Sequence, residues 1–329
     1  MHTMAEQFRR KAGAKVIDGF FRGMSRLGAA HPKARPEAHG VRVVRDLPYR
    51  DSPLREHRLD VYLPPGQATG RKVVLYVHGG GFRILSKETH WVMGLAFARQ
   101  GYVVFNISYR LAPEHPFPAA LEDCVAALGW VKEHAAEWGG DATQIVFAGE
   151  SAGANLVTSL ALACCARRDE AFAREAFALG VRPSAVIAAC GMLQVSDIAR
   201  FSRRKPGFPR FLEDRLEEVS RGYVGAIDVC TEAQALADPL CLVEELARQG
   251  AGTERPLPPF FLPVGTRDPL LDDTRRLARA LGTLGVPAED RYYPGEVHAF
   301  HAFVFRAQAR RCWEDTFAFL AQHAPASAD

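Results

Sequence analysis

From Arg71 onward, short runs rich in Val, Ile, Phe and Tyr alternate with longer helical patterns, an order that builds a parallel sheet with helices on both faces. The runs are Val73 to Val77, Val103 to Ile107, Ile145 to Ala148, Ala185 to Ala189, Phe260 to Val264 and Arg291 to Tyr293. Most are apolar almost throughout, as strands buried on both faces are. Upstream, Val41 to Tyr49 and Arg58 to Leu63 are expected as two antiparallel edge strands separated by a polar turn. Within Pro118 to Trp138, residues Leu121, Cys124, Val125, Leu128 and Val131 recur at helical spacing and make one apolar face to pack on the sheet. The chain has 329 residues, enough for about two domains or one large α/β unit with an insertion.

Composition removes several classes of partner. Lys plus Arg number 41 against 38 Asp plus Glu, a net charge of +3, too small for nucleic acid or an anionic membrane to be the main partner. The longest uncharged stretch, Ser151 to Ala166, contains Ser, Asn and Thr and falls short of a bilayer span. The cysteines, Cys164, Cys165 and Cys190 among them, lack CxxC pairs or neighbouring His ligands and read as buried thiols, not as a disulfide or zinc framework. With no secretory h-region or cleavage site at the amino end, a reducing, cytoplasmic compartment is expected. Asn106-Ile107-Ser108 matches a glycosylation sequon but falls in a strand expected to be buried.

Two segments break the alternation. In the amino-terminal arm, Phe8, Ala12, Val16, Phe20, Met24 and Leu27 trace one side of a basic helix, read as docking on its own protein in preference to a membrane surface. The stretch from Gly191 to about Cys230 follows a strand and mixes Met192, Leu193, Phe201, Phe208, Phe211 and Tyr223 with basic residues. Together the two are expected to form a lid.

The strongest chemical signal is Gly149-Glu150-Ser151-Ala152-Gly153, set directly between the strand ending at Ala148 and a helical run. A GxSxG string alone is weak, and its bland reading is a Gly-rich turn with a capping Ser. Its strand, turn and helix context, however, is what a nucleophile elbow requires, with small residues permitting a sharp turn that presents Ser151 above the sheet. A hydroxyl needs a base and a group to orient that base. Asp268 and His298 each follow a strand, in the loops beyond carboxyl ends where open α/β sheets place ligands. Asp272 and Asp273 compete with Asp268 but suit a helix start, and His301 competes with His298, which adjoins the turn at Tyr293-Pro294-Gly295. His78-Gly79-Gly80-Gly81-Phe82 follows another strand, and successive glycines let backbone N–H groups approach a developing oxyanion. Gly80, Gly81 and Ala152 are the expected donors. A phosphate-binding loop is excluded by the missing Lys-Ser/Thr pair.

Taken together, HGGGF, the run Tyr109 to Ala120 (YRLAPEHPFPAA), GESAGAN, Asp268-Pro269-Leu270-Leu271-Asp272 and His298-Ala299-Phe300 resemble the hormone-sensitive lipase family (bacterial family IV) of esterases in the α/β hydrolase superfamily, over about residues 40 to 320. The chain order Ser, Asp, His is that of those hydrolases. The resemblance implies a mostly parallel eight-stranded sheet flanked by helices and bearing a helical cap. It implies cap helices in residues 1–40, core in 41–190, a cap insertion in 191–235 and core again in 236–329. It also implies no cofactor or metal, and hydrolysis of carboxylic esters, usually short-chain, through an acyl-enzyme. Glu150 and Ala154 depart from the family's usual GDSAGG, and the basic stretch around Arg200 to Arg210 matches little. Phe82, Phe208 and Phe211 are expected pocket walls, and Phe303 and Phe305 suit either a homodimer contact or a buried helix. The rivals are an amidase, formamidase or lactone hydrolase on the same residues, a non-catalytic ligand receptor, and a true lipase.

Overall fold

A computed structural model describes residues 18–19, 22–23, 25–66, 69–204, 207–225 and 232–324. Its strands are β1 (Arg42–Pro48), β2 (Arg58–Leu63), β3 (Arg71–Val77), β4 (Val103–Ile107), β5 (Gly140–Glu150), β6 (Ala185–Ala189), β7 (Phe260–Gly265) and β8 (Ala288–Tyr293). They form one sheet in the order β1-β2-β4-β3-β5-β6-β7-β8. All neighbours from β4 to β8 run parallel, while β1 and β2 join antiparallel. The protein therefore has the expected mostly parallel, eight-stranded sheet of an α/β hydrolase. One expectation is corrected: β2 is not an edge, because β1 covers one side and β4 the other.

Alternation along β3 explains why both faces are covered. Val73, Leu75 and Val77 enter the larger apolar cluster, shared with helices α3 (Ala119–His134) and α4 (Ala152–Cys165), whereas Val74 and Tyr76 enter a second cluster with α2 (Trp91–Ala98) and α10 (Ala307–His323). Strand β8, at the sheet's end, is largely polar and part-exposed, as an edge must be. The apolar face foreseen on α3 is buried, but the helix stops at His134, and Ala135–Trp138 tightens into a 3₁₀ turn closed by Gly139 at φ 77°.

Between β6 and β7 come α6 (Arg200–Arg204), α7 (Arg210–Val224) and α8 (Pro239–Gln249), with α5 (Ala171–Ala178) earlier and α9 (Leu271–Thr283) later. Helix α7 lies on the loop after β3: Tyr223 stacks on Phe82 at 3.6 Å and Arg83 pairs with Glu218 at 2.6 Å. Three arginines of this insertion are paired with carboxylates. Arg200 holds Asp273 at 2.7 Å, Arg203 holds Asp197 at 2.5 Å and Arg204 pairs with Asp272.

Helical residues at 18–19, 22–23 and 25–30 (α1) reach the loop after β3 and the start of α2. Asp18 Oδ1 accepts from the Leu85 N–H at 3.2 Å, and Trp91 Nε1 donates to Ser25 Oγ at 3.1 Å. Of the apolar stripe read in this arm, Phe8, Ala12, Val16, Phe20 and Met24 lie outside the described residues. Leu27, the one described member of the stripe, is 74% exposed.

Candidate active site

Strand β5 ends at Glu150 and α4 begins at Ala152, leaving Ser151 as the single residue of the turn, at φ 55° and ψ −115°. Such a conformation is sterically costly for a residue with a Cβ and persists only where its surroundings hold it. The Ser151 N–H donates to Ala189 O at 2.9 Å, tying the turn to β6. Both flanking glycines are required by space. A Cβ on Gly149 would fall 2.6 Å from the Gly153 carbonyl, and one on Gly153 would fall 2.0 Å from Val77 O. The elbow is thus wedged against the end of β3, and Ser151 stands above the sheet.

Two side chains distant in sequence converge on it. His298, in the loop after β8, places Nε2 3.0 Å from Ser151 Oγ, and its Nδ1 lies 2.9 Å from Asp268 Oδ2. Asp268, in the turn after β7, is buried, and its other oxygen accepts from the Leu270 N–H at 2.8 Å. A carboxylate only accepts, so Nδ1 carries the ring proton and Nε2 is left free to accept from the serine. Burial of His298 disfavours the imidazolium, but the facing Asp268 carboxylate and the adjacent Cys190 sulfur together outweigh it and hold the pKa well above the ordinary value. The competing residues lie elsewhere. Asp272 and Asp273 serve Arg204 and Arg200, and Asp273 also accepts from the Leu193 N–H. His301 is buried against Trp313, and burial pushes its pKa down to about 4.

The glycine loop after β3 packs directly on the elbow. A Cβ on Gly79 would lie 3.3 Å from Ser151 Cβ, and one on Gly80 (φ 111°) would strike Ile84 O at 2.1 Å. Gly81, at φ 58°, faces Val219 of α7. The loop thus turns on its own backbone beneath α7, while Ala152 is the first residue of α4, whose amino end favours negative charge. His78 supports the loop from below, stacked 4.2 Å from Tyr109, with Nδ1 donating to Gly79 O at 2.7 Å. Burial pushes its pKa down to about 3, so it stays neutral.

The aromatic residues read as pocket walls separate. Phe82 has no exposed surface and is clamped between the glycine loop and Tyr223; Phe208 is half-buried, stacked on Phe201 at 5.7 Å. Phe211 is 62% exposed, because Leu216, Val219 and Tyr223 supply the face of α7 that meets the core.

Glu150 is the residue whose role sequence reasoning missed. Its carboxylate accepts from the Gly79 N–H at 2.5 Å and from the Tyr76 hydroxyl, and pairs with His90 Nε2 at 2.7 Å. Burial opposes its charge, yet the neighbouring His90 prevails and takes the Glu150 pKa down to about 2. One buried carboxylate therefore binds the elbow, the glycine loop and the segment before α2 together. The signal in the sequence was a lone Glu at the end of an apolar strand. Its partner, 60 positions away, was not readable from spacing.

Residues 74–302 match the alpha/beta hydrolase fold family Abhydrolase_3. Carboxylesterase NlhH of Mycobacterium tuberculosis is 34% identical over 254 residues, covering 77% of this chain and 72% of that protein. An acetyl esterase of Salmonella schwarzengrund is 30% identical, with 77% and 70% covered. An esterase from Pyrobaculum calidifontis superposes with a TM-score of 0.74 at 27% identity, covering 95% of this chain and 94% of its own. The chain belongs to the Abhydrolase_3 family of the α/β hydrolase fold and, with it, to the hormone-sensitive-lipase-like carboxylic ester hydrolases.

Proposed function

We propose that the protein hydrolyses short-chain carboxylic esters through a covalent acyl-enzyme on Ser151. The observation that carries this reading is the unbroken hydrogen-bonded chain from Ser151 Oγ through the His298 ring to Asp268, at 3.0 and 2.9 Å, mounted on a strained elbow. Ser151 Oγ attacks the ester carbonyl while His298 Nε2 takes its proton. The carbonyl π pair moves onto oxygen, which the N–H groups of Gly80, Gly81 and Ala152 receive. Collapse breaks the bond to the alkoxide, which leaves with the proton from His298. Water then repeats the sequence and frees the acid. Asp268 holds the tautomer and stabilises the imidazolium.

In the same reading, the described parts of residues 1–40 and 191–235 form a cap over the described parts of core segments 41–190 and 236–329. Support for short acyl groups comes from the kinship with an acetyl esterase and from α7 seated on the glycine loop. The direct test is kcat/KM on p-nitrophenyl acetate, butyrate, octanoate and dodecanoate, beside a matched anilide. Acetate or butyrate is expected to exceed dodecanoate by at least about tenfold, and the esters to exceed the anilide. Preference for the anilide would transfer the assignment to the amidases.

Among the described residues no helix is long and apolar enough to cross a membrane. A reducing, cytoplasmic setting suits the free thiols Cys124, Cys164, Cys165, Cys190, Cys241 and Cys312. A second copy of the chain is the proposed cover for the edge strand β8 and for Phe305, which is 74% exposed.

Glu150 acts in this scheme as a positioning residue. Glu150→Gln retains the shape but removes the charge opposite His90, and breaking a buried pair costs on the order of 3 kcal/mol. The expected outcome is a lower Tm together with a fall in kcat at little changed KM. A fall in Tm with kcat intact would confine Glu150 to structural support.

A further inference from the structure

β6 ends at Ala189, and the next residue, Cys190, takes φ 40°, in the left-handed region that residues with a Cβ rarely enter. Its N–H is anchored to Pro263 O at 2.9 Å, and the side chain is buried. The turn sets the thiol beside the candidate triad. Cys190 Sγ, a carboxylate oxygen of Asp268 and a ring nitrogen of His298 all lie within 4.8 Å of one another. Among the described residues this is the one such gathering of His, Cys, Asp and Glu ligand atoms. The hydrolytic scheme uses two of its members and gives the thiol no task.

We propose that Cys190, Asp268 and His298 form an inhibitory site for a thiophilic divalent cation of the Zn²⁺ class. Three protein ligands of sulfur, nitrogen and oxygen type with one open position are a set that zinc accepts. Zn–S distances of about 2.3 Å and Zn–N or Zn–O distances of about 2.0–2.2 Å, arranged tetrahedrally, put ligand atoms roughly 3.3–3.6 Å apart. Atoms already within 4.8 Å need move by little more than an ångström. A water supplies the fourth position. The thiolate and carboxylate together neutralise the cation, which limits the cost of burying it. The His298 side chain is 36% exposed and gives a route from solvent. Mg²⁺ and Ca²⁺ do not suit the site, since they take six or more oxygen ligands.

Occupancy and hydrolysis exclude one another. As the Zn–S bond forms, the thiol proton passes to solvent. If the cation takes Nε2, Ser151 loses its proton acceptor. If it takes Nδ1, the neutral ring must carry its proton on Nε2, where it can donate but not accept. Either way the base is removed, reversibly. Binding stands independently of the ester-hydrolase reading; inhibition rests on it.

The test titrates Zn²⁺ against ester hydrolysis by the wild type, Cys190→Ala and, as a control thiol, Cys312→Ala, each scaled to its own metal-free rate. Half-inhibition of Cys190→Ala is expected to need at least about tenfold more Zn²⁺ than the wild type, with Cys312→Ala unchanged and a chelator restoring activity. Separately, Co²⁺ added to Ser151→Ala should give a thiolate-to-cobalt charge-transfer band that is lost when Cys190→Ala is added. Should Cys190→Ala not fold, protection of Cys190 from alkylation by Zn²⁺ in the wild type replaces it. Equal Zn²⁺ sensitivity of wild type and Cys190→Ala, a cobalt complex without the thiolate band, or alkylation unaffected by Zn²⁺ overturns the proposal. A thiolate–cobalt band in a chain that hydrolyses no ester would leave this site standing and sink the hydrolytic reading instead.

Discussion

Ser151→Ala is expected to lower kcat for p-nitrophenyl butyrate by more than about 10³, in line with what removal of a triad nucleophile costs elsewhere. The expectation follows from how little else the change touches. The Ser151 N–H bond to Ala189 O and the contacts of Gly149 and Gly153 against β3 involve backbone only, so Ala can occupy the same strained turn. What disappears is the oxygen 3.0 Å from His298 Nε2, and with it the atom that would carry the acyl group. Stability should therefore change by no more than about 1 kcal/mol, the net worth of one hydrogen bond. The N–H groups near Gly80, Gly81 and Ala152 remain and should sustain slow attack by water above the uncatalysed rate. Rate measurements, paired with loss of labelling by a fluorophosphonate and with a thermal melt, separate loss of chemistry from loss of fold. A variant that hydrolyses the ester within tenfold of wild type would remove Ser151 from the reaction.

The sheet was legible because it is written locally. A run such as Val103 to Ile107, apolar at every position but Asn106, fits a strand covered by helices on both faces, and β4 is buried throughout. Periodicity likewise exposed the buried face of α3. Strand order is another matter. Nothing in the upstream pair reveals that β2 will insert between β1 and β4, since pairing partners are set by global packing. The convergence of Ser151, Asp268 and His298 was foreseeable from position alone, because each follows a parallel strand and such loops gather at one end of the sheet. Long-range charge pairing had no comparable cue. Nothing around Arg200 and Arg204 in the sequence points to their partners Asp273 and Asp272, over sixty residues later. The same holds for Glu150 and His90. Phe211 shows the limit of composition: an aromatic residue in a mixed segment carries no sign of which side of its helix meets the core.

Asp268→Asn carries the second large effect and separates orientation from charge. In the wild type the reaction needs the neutral imidazole, so the rate rises with pH through the His298 pKa. Because Asp268, with Cys190 beside it, holds that pKa well above the ordinary value despite burial, the acid limb of kcat/KM is expected above about 6.5. An Asn amide keeps the shape and can still accept from the Leu270 N–H, which meets the carboxylate at 2.8 Å. Turned to do so, it offers its NH₂ to His298 Nδ1, so that the neutral ring carries its proton on Nε2, facing Ser151. The base is then blocked in the state that should be active, and the plateau is expected to fall by about 10⁴. Loss of the facing negative charge simultaneously removes the larger part of what raised the pKa, the Cys190 contribution remaining, so the acid limb should shift to lower pH. A merely damaged site would lower the plateau without moving the limb. Asp272→Asn, which touches only the surface pair with Arg204, should leave both plateau and limb near wild type. An acid limb that stays in place in Asp268→Asn, or one that moves in Asp272→Asn, would mean that another carboxylate governs the imidazole.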